Sequence, residues 1–233
     1  MLKKWLALAT VFLLSVACTN IPKQDYNKVV NREIREITLI EPAAEPHYLV
    51  LNLGHVGKYF GLIGALVSEV QLSTKTVAFS KAMKGKGFDL KSEFKLALIA
   101  ELQAAGYTIN IQKLERKKLD FLLKYENLPS GTQALIDPIL AAGYYSAAAN
   151  SEYIPTVRTS IRVVTPDGKQ ILYQEQINYG LEAKGQKAVT FQADDKYFFD
   201  DFDAIMAKPD VALEGLRKGI AIVTKQIAED LGR

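Results

Sequence analysis

One cysteine and two histidines are all that this 233-residue chain offers of the side chains behind most metal and nucleophile chemistry. With Cys18 alone, no disulfide can close within the chain, so an exported form has to hold together through its core. Beside His47 and His55 there is no cluster at ligand spacing and no His-Glu-x-x-His run, which removes the usual zinc arrangements. A Ser-His-Asp hydrolase would need one of these two as its base, and no Gly-x-Ser-x-Gly elbow accompanies them. Both are read as structural residues. Paired carboxylates, which leave no motif, stay open. The sequence supplies no catalytic residue, no cofactor site and no metal ligand, and the chain is not expected to be an enzyme.

A strong charge of one sign is missing too. The formal net charge is +3, but of the 29 basic residues Lys3 and Lys4 belong to the first few positions; without them 27 face 26 acidic ones. A balance that even gives no electrostatic footprint for nucleic acid. No apolar run reaches the ~20 residues that a bilayer crossing takes. The longest at the start, Trp5–Leu14, has ten with one Thr among them. Otherwise the composition, 48% hydrophobic and 24% charged, is that of an ordinary globular chain.

What is present begins at the N-terminus. Lys3 and Lys4 precede the apolar run, and Leu14-Ser15-Val16-Ala17-Cys18 closes it. This is the three-part layout of a secretory signal. The last five residues resemble the lipobox of bacterial lipoproteins, with Ser15 standing where Leu is commonest. The resemblance implies that residues 1–17 are removed as a signal peptide. It also implies that Cys18 carries a diacylglyceryl group, often with an N-acyl chain; two or three chains anchor stably. Thr19 follows, not Asp; by resemblance to the sorting rule of enterobacterial lipoproteins, this implies an outer membrane, with the protein facing the periplasm. An ordinary signal peptide, leaving a free thiol, is the alternative.

Residues 18–33 are polar and read as the lipidated cysteine and its tether, with residues 34–233 forming a single α+β domain. Ile34–Ile40 and His47–Leu53 read as strands, with Pro42 and Pro46 bounding a turn between them. Gly54, Gly57, Gly61 and Gly64 share one helical face. The segment Gly54–Val70 reads as a glycine turn into a core helix, or as a surface touching membrane or another copy. Residues 72–80 read as a strand or hairpin arm, followed by a basic loop with Lys81, Lys84 and Lys86. Asp89–Ala105 has apolar residues at 90, 94, 97, 98 and 102, a cap in Asp89 or Ser92 and a stop at Gly106, which predicts a helix. Tyr107–Ile111 alternates as a strand. Leu119–Leu123 and Ala134–Leu140 are apolar runs with no clear period, read as buried. Ile154–Val164 and Gln170–Tyr179 are strands about Pro166-Asp167-Gly168-Lys169, with one face expected to be wet. Five aspartates between residues 191 and 203 lack the EF-hand spacing. They read as caps and a solvated edge over buried rings. A final helix is expected from Pro209 to Leu231.

The expected architecture is a mixed, largely antiparallel sheet with a long central helix and a C-terminal helix packed on it. Ala141-Ala142-Gly143-Tyr144 and Tyr153-Ile154-Pro155-Thr156-Val157, with the Asp167-Gly168 hairpin, look like small uncharacterised outer-membrane lipoproteins. Over residues 34–179 the element order is similar to that of the curli-secretion and peptidoglycan-synthase-activator lipoproteins. These resemblances imply a lipid-anchored accessory or binding module with an envelope protein as partner. A self-assembling, homo-oligomeric envelope component and an envelope hydrolase are the alternatives. Cys18→Ala is expected to shift the protein to the soluble fraction or to stall its processing. Cell fractionation checks this, and normal processing with unchanged membrane residence contradicts the anchor.

Overall fold

The computed structural model describes residues 21–53, 73–182 and 188–232. The leader, Cys18, His55 and Gly54–Val70 lie outside the described residues. Strands β1 (Glu36–Ile40), β2 (Ala43–Ala44) and β3 (Leu49–Asn52) come first, then helices α1 (Thr74–Gly85) and α2 (Leu90–Ala104). Strands β4 (Thr108–Gln112), β5 (Ala134–Ser146), β6 (Tyr153–Val164), β7 (Ile171–Tyr179) and β8 (Val189–Phe191) follow, and then helices α3 (Phe202–Ala207) and α4 (Pro209–Leu231). The strands form one mixed sheet in the order β4-β1-β5-β6-β7-β8, with β2 and β3 also on β5. The class is α+β. Among the described residues, β1, β2 and β3 all run parallel to β5, while the β5–β6–β7 hairpins supply the longest, antiparallel ladders.

β5 is the axis of the sheet. All thirteen of its residues are buried. Its β6 edge is paired over twelve positions, and its other edge is covered piecewise by β1, β2 and β3. Four residues separate Leu39 from Ala43 where β5 advances three, and five separate Ala44 from Leu49 where β5 again advances three. The excess residues bulge out around Pro42 and Pro46, because proline cannot donate to a ladder. β3 returns so close to β5 that a Cβ on Gly143 would lie 1.9 Å from the Leu49 carbonyl oxygen.

Helices cover one face. α2 begins where the Asp89 side chain accepts from the Ser92 N–H, buries Leu90, Phe94, Leu98 and Leu102, and stops at Gly106 with φ +88°. These match the spacing in the sequence. α4 starts with Pro209 at its first position and buries Leu213, Leu216, Ile220, Val223, Ile227 and Leu231. Its Gly219 allows close seating: a Cβ there would come within 2.5 Å of Tyr179 and 2.8 Å of Val157. Arg217 of α4 grips the Glu93 carboxylate of α2 with contacts of 2.7–3.1 Å.

Four expectations change. Residues 74–85 are helical, not a strand. Ser73 caps the helix, and Thr76, Phe79, Ser80 and Met83 recur at 3/4 spacing on its buried side. The hydroxyls of Thr76 and Ser80 accept from the Val50 and Tyr48 N–H groups, at 3.0 and 2.8 Å, so α1 serves the edge of β3 as a further strand would. Lys81 and Lys84 are thus helix residues, and Lys86 pairs with Asp210 at 2.7 Å. Polar residues 21–26 are not a free tether: Ile21 is 8% exposed, and Gln24 exchanges backbone hydrogen bonds with Gln174 at 2.8 and 2.9 Å. Lys23 also reaches Glu175 at 2.8 Å. The folded unit therefore begins by residue 21, not at 34. Finally, the second face of β6 and β7 is not wet, since Arg158, Ser160, Gln174, Gln176 and Asn178 are all buried.

Gly143→Ala is expected to lower stability by about 3 kcal/mol, because its methyl meets backbone that cannot swing aside. Gly85→Ala, inside α1 with nothing within 4 Å of its Cβ, should instead raise the midpoint of a urea melt slightly, by about 0.5 kcal/mol of helix propensity.

Candidate functional site

The sheet face opposite the helices carries the unusual side chains. Strand alternation places Asp137, Ile139, Ala141 and Tyr145 of β5 there, beside Arg162, Ser160 and Arg158 of β6 and Gln174, Gln176 and Asn178 of β7. At one end of this face Asp137, with no exposed surface, accepts from three donors: the Arg116 guanidinium, the Leu122 N–H at 2.9 Å and the Tyr125 hydroxyl at 3.0 Å. All three lie in the 113–128 segment, which is thereby fixed across the sheet. Arg162 stacks on the Phe121 ring at 4.2 Å and donates to Gln174 at 2.6 Å. Gln174 in turn donates to the Pro22 carbonyl at 2.8 Å. One polar chain thus joins the N-terminal strap, the sheet and the 113–128 segment.

The middle of the face is different. Glu45 follows β2, its N–H donates to the Leu140 carbonyl at 3.0 Å, and its side chain is in register with Ala141, Arg158 and Asn178. Glu45 is 6% exposed. Its Oε2, the Tyr145 and Ser160 hydroxyls and both amide atoms of Asn178 are buried without a hydrogen-bond partner among the described residues. Buried polar groups normally find partners, and each exception asks for an explanation such as a water or a ligand. Burial pushes the Glu45 carboxyl up to about 7. Burial likewise pushes the Tyr145 hydroxyl up to about 12, with Glu45 adding to the rise and Arg158 opposing it. The row holds donors, acceptors and a carboxyl poised near neutrality.

A separate groove of about 510 Å³ runs along the edge of β2, where β4 has ended at Gln112. Ala43 and Ala44 lie in its floor, and Lys91, Lys113, Arg116, Lys117 and Lys118 outnumber Glu41 and Glu115 around it. Ile21 packs with Ala43 and Leu119, two residues of this groove. The strap thus runs from the open edge of β7, where Gln24 pairs with Gln174, to the apolar cluster beside this groove.

None of these groups was picked out in the sequence. Ala134–Leu140 is apolar enough to show burial, but Asp137 inside it gives no sign of its partners. Glu45 reads as a turn residue between prolines. Lys113–Lys118 is a visible charge run, and only the fold brings it to the edge of β2. His47 is half-buried in the bulge between β2 and β3. Among the described residues no group of three His, Cys, Asp or Glu can hold a metal ion. Of the aspartates between 191 and 203, Asp201 caps α3 by accepting from Ala204 at 2.8 Å, beside the buried rings of Tyr197 and Phe199.

Glu45 sets a pH dependence. Its folded carboxyl holds a proton up to about pH 7, whereas the unfolded one releases it near 4.5. The folded state binds the extra proton between those values, so stability falls as pH rises through this window and levels off above it. Glu45→Gln removes the ionisable group. Thermal melts should give matching midpoints for the two proteins at pH 4 and a more stable variant at pH 8, by up to about 3 kcal/mol. Parallel curves at all pH values contradict the assignment.

No family model matches the chain, and no curated protein matches it in sequence. Solved structures with a similar course include a Xanthomonas campestris protein of the DUF330 family, 8% identical with a TM-score of 0.39, over 89% of this chain and 84% of that one. A Helicobacter pylori protein described as a neuraminyllactose-binding hemagglutinin homologue is 16% identical with a TM-score of 0.35, over 86% and 84%. Likeness at this level transfers no residue, activity or partner to this chain.

Proposed function

We propose that this chain is a lipid-anchored accessory module of the cell envelope, a non-catalytic α+β domain that binds an envelope protein. The reading rests above all on one placement. The only cysteine closes a secretory-signal layout and lies three residues before Ile21, where the chain is already packed against the sheet. An anchor at Cys18 would hold the domain close to its membrane, because three residues reach at most about 11 Å. Among the described residues no helix is long and apolar enough to cross a membrane, so attachment in this reading falls to the cysteine. An outer membrane facing the periplasm is part of the same proposal, through Thr19.

The function assigned is binding, because the chemistry visible in the fold is recognition chemistry. The polar row is buried and holds no nucleophile paired with a base among the described residues, and the groove presents charge at the surface. Photocrosslinking groups placed in turn at Lys117, Lys169 and Lys218 sample the 113–128 segment, the β6–β7 turn and α4, all at exposed positions. In native cells, one position should repeatedly capture the same envelope protein while the others do not. Capture of only this chain at every position would replace the accessory reading with self-assembly, and no capture at all would count against both.

A further inference from the structure

The groove beside β2 has a chemical bias that its binding role alone does not explain. Lys91, Lys113, Lys117 and Lys118 are exposed around it, and none has a carboxylate within 4.0 Å among the described residues. Arg116 is committed to Asp137, and Glu41 meets Lys95 at 3.7 Å. Further along the same segment Leu123, read from the sequence as part of a buried run, is instead 93% exposed, directly before Lys124, which is also exposed. Its neighbours Phe121 and Leu122 are taken up by the sheet, so Leu123 is the apolar residue left facing water. A leucine held out beside Lys124, on the segment that also carries Lys113, Lys117 and Lys118, suits the boundary between lipid headgroups and acyl chains, where cations meet phosphate and an apolar side chain gains by insertion.

The position of the chain start points the same way. Ile21 shares its packing with Ala43 and Leu119, both of which line the groove. Three residues separate Cys18 from Ile21, a reach of at most about 11 Å. We propose that the cationic edge formed by Lys91, Lys113, Lys117 and Lys118, with Leu123, is a membrane-contact surface whose occupant is the anionic headgroup layer of the bilayer that holds Cys18. This inference rests on the lipid-anchor reading for which membrane is met; the charge and the exposed leucine stand without it. Contact at this edge would fix the orientation of the domain relative to that bilayer.

The test uses the full protein purified from its membranes, with an environment-sensitive dye on Leu123→Cys and, separately, on Lys218→Cys in α4. Each is reconstituted in vesicles of phosphatidylcholine alone or with phosphatidylglycerol. The expected result is a blue shift at position 123 in the anionic vesicles only, reversed by high salt and absent at position 218. The triple change of Lys113, Lys117 and Lys118 to Gln, at exposed positions, should abolish the shift and leave the melting curve unchanged. No shift at 123, an equal shift in neutral vesicles, or a shift that survives the triple change overturns the proposal. The mass of the N-terminal peptide reads lipidation separately. An unmodified Cys18 with the anionic shift intact defeats the anchor and keeps the surface; an acylated Cys18 with no shift does the reverse.

Discussion

Thirteen consecutive buried residues in β5 are the constraint from which the rest of the molecule follows. A strand buried on both faces and paired on both edges has to be covered four times over. One edge is met by β6. The other is met by three short strands in succession, whose bulges at Pro42 and Pro46 let one stretch of chain track a longer partner. One face is met by α2 and α4. The remaining face is met by a segment without regular structure, and irregular backbone laid on a sheet needs partners for its own polar groups. Asp137 supplies them, accepting from a guanidinium, a backbone N–H and a phenol of that segment. A carboxylate taken wholly out of water is tolerable only when such partners converge on it. The charge inside β5 is thus the fastening for the segment that covers it.

The N-terminal strap belongs to the same solution. β7 is paired with β8 only at Ile177–Tyr179, which leaves its earlier edge open. Gln24 fills part of that gap by exchanging hydrogen bonds with Gln174, while Lys23 meets the buried Glu175 and Ile21 joins Phe121 under the 113–128 segment. An open strand edge is a template for unwanted pairing. A strap that covers this one also brings the start of the chain to one fixed place on the surface. Closing an edge and fixing where the chain enters its fold are then a single structural act.

How much of this was legible in the sequence depended on whether a residue's partner lay nearby along the chain. α2 announced itself through Asp89, the 90/94/98/102 stripe and Gly106, because cap, stripe and stop are all local. The β6–β7 hairpin was readable for the same reason, as was α4 from Pro209 onward. α1 was misread because Thr76 and Ser80 interrupt its apolar face with hydroxyls. Their reason for being there is the edge of β3, about 30 residues earlier in the chain. The strap was misread as a tether because its residues are polar, and their polarity is used against Gln174 and Glu175, about 150 residues away. The wet face expected of β6 was wrong on the same account: Arg158 and Arg162 look like solvent residues until a cover is laid over them. Of the candidate site, Glu45 and Asp137 could not be found by pattern, since a carboxyl between prolines or within an apolar run has no spacing to betray it.

Composition was the least informative guide to the surface. A chain with 27 basic and 26 acidic residues after its first turn of sequence suggests no electrostatic character at all. Yet the fold segregates what the count averages. Many of its acids are engaged where they stand: Asp137 and Glu175 inside the sheet layers, Glu93 and Asp210 between helices, Asp89 and Asp201 at helix starts. Cations engaged with them, such as Arg116 and Arg217, lose their reach into solvent. The lysines beside β2 have no such partners among the described residues, and so they set the local field over a range of one Debye length, about 8–10 Å at physiological salt. A charged surface at membrane distance acts within that range or not at all. Net charge therefore could not have revealed this edge, whereas the pairing pattern does.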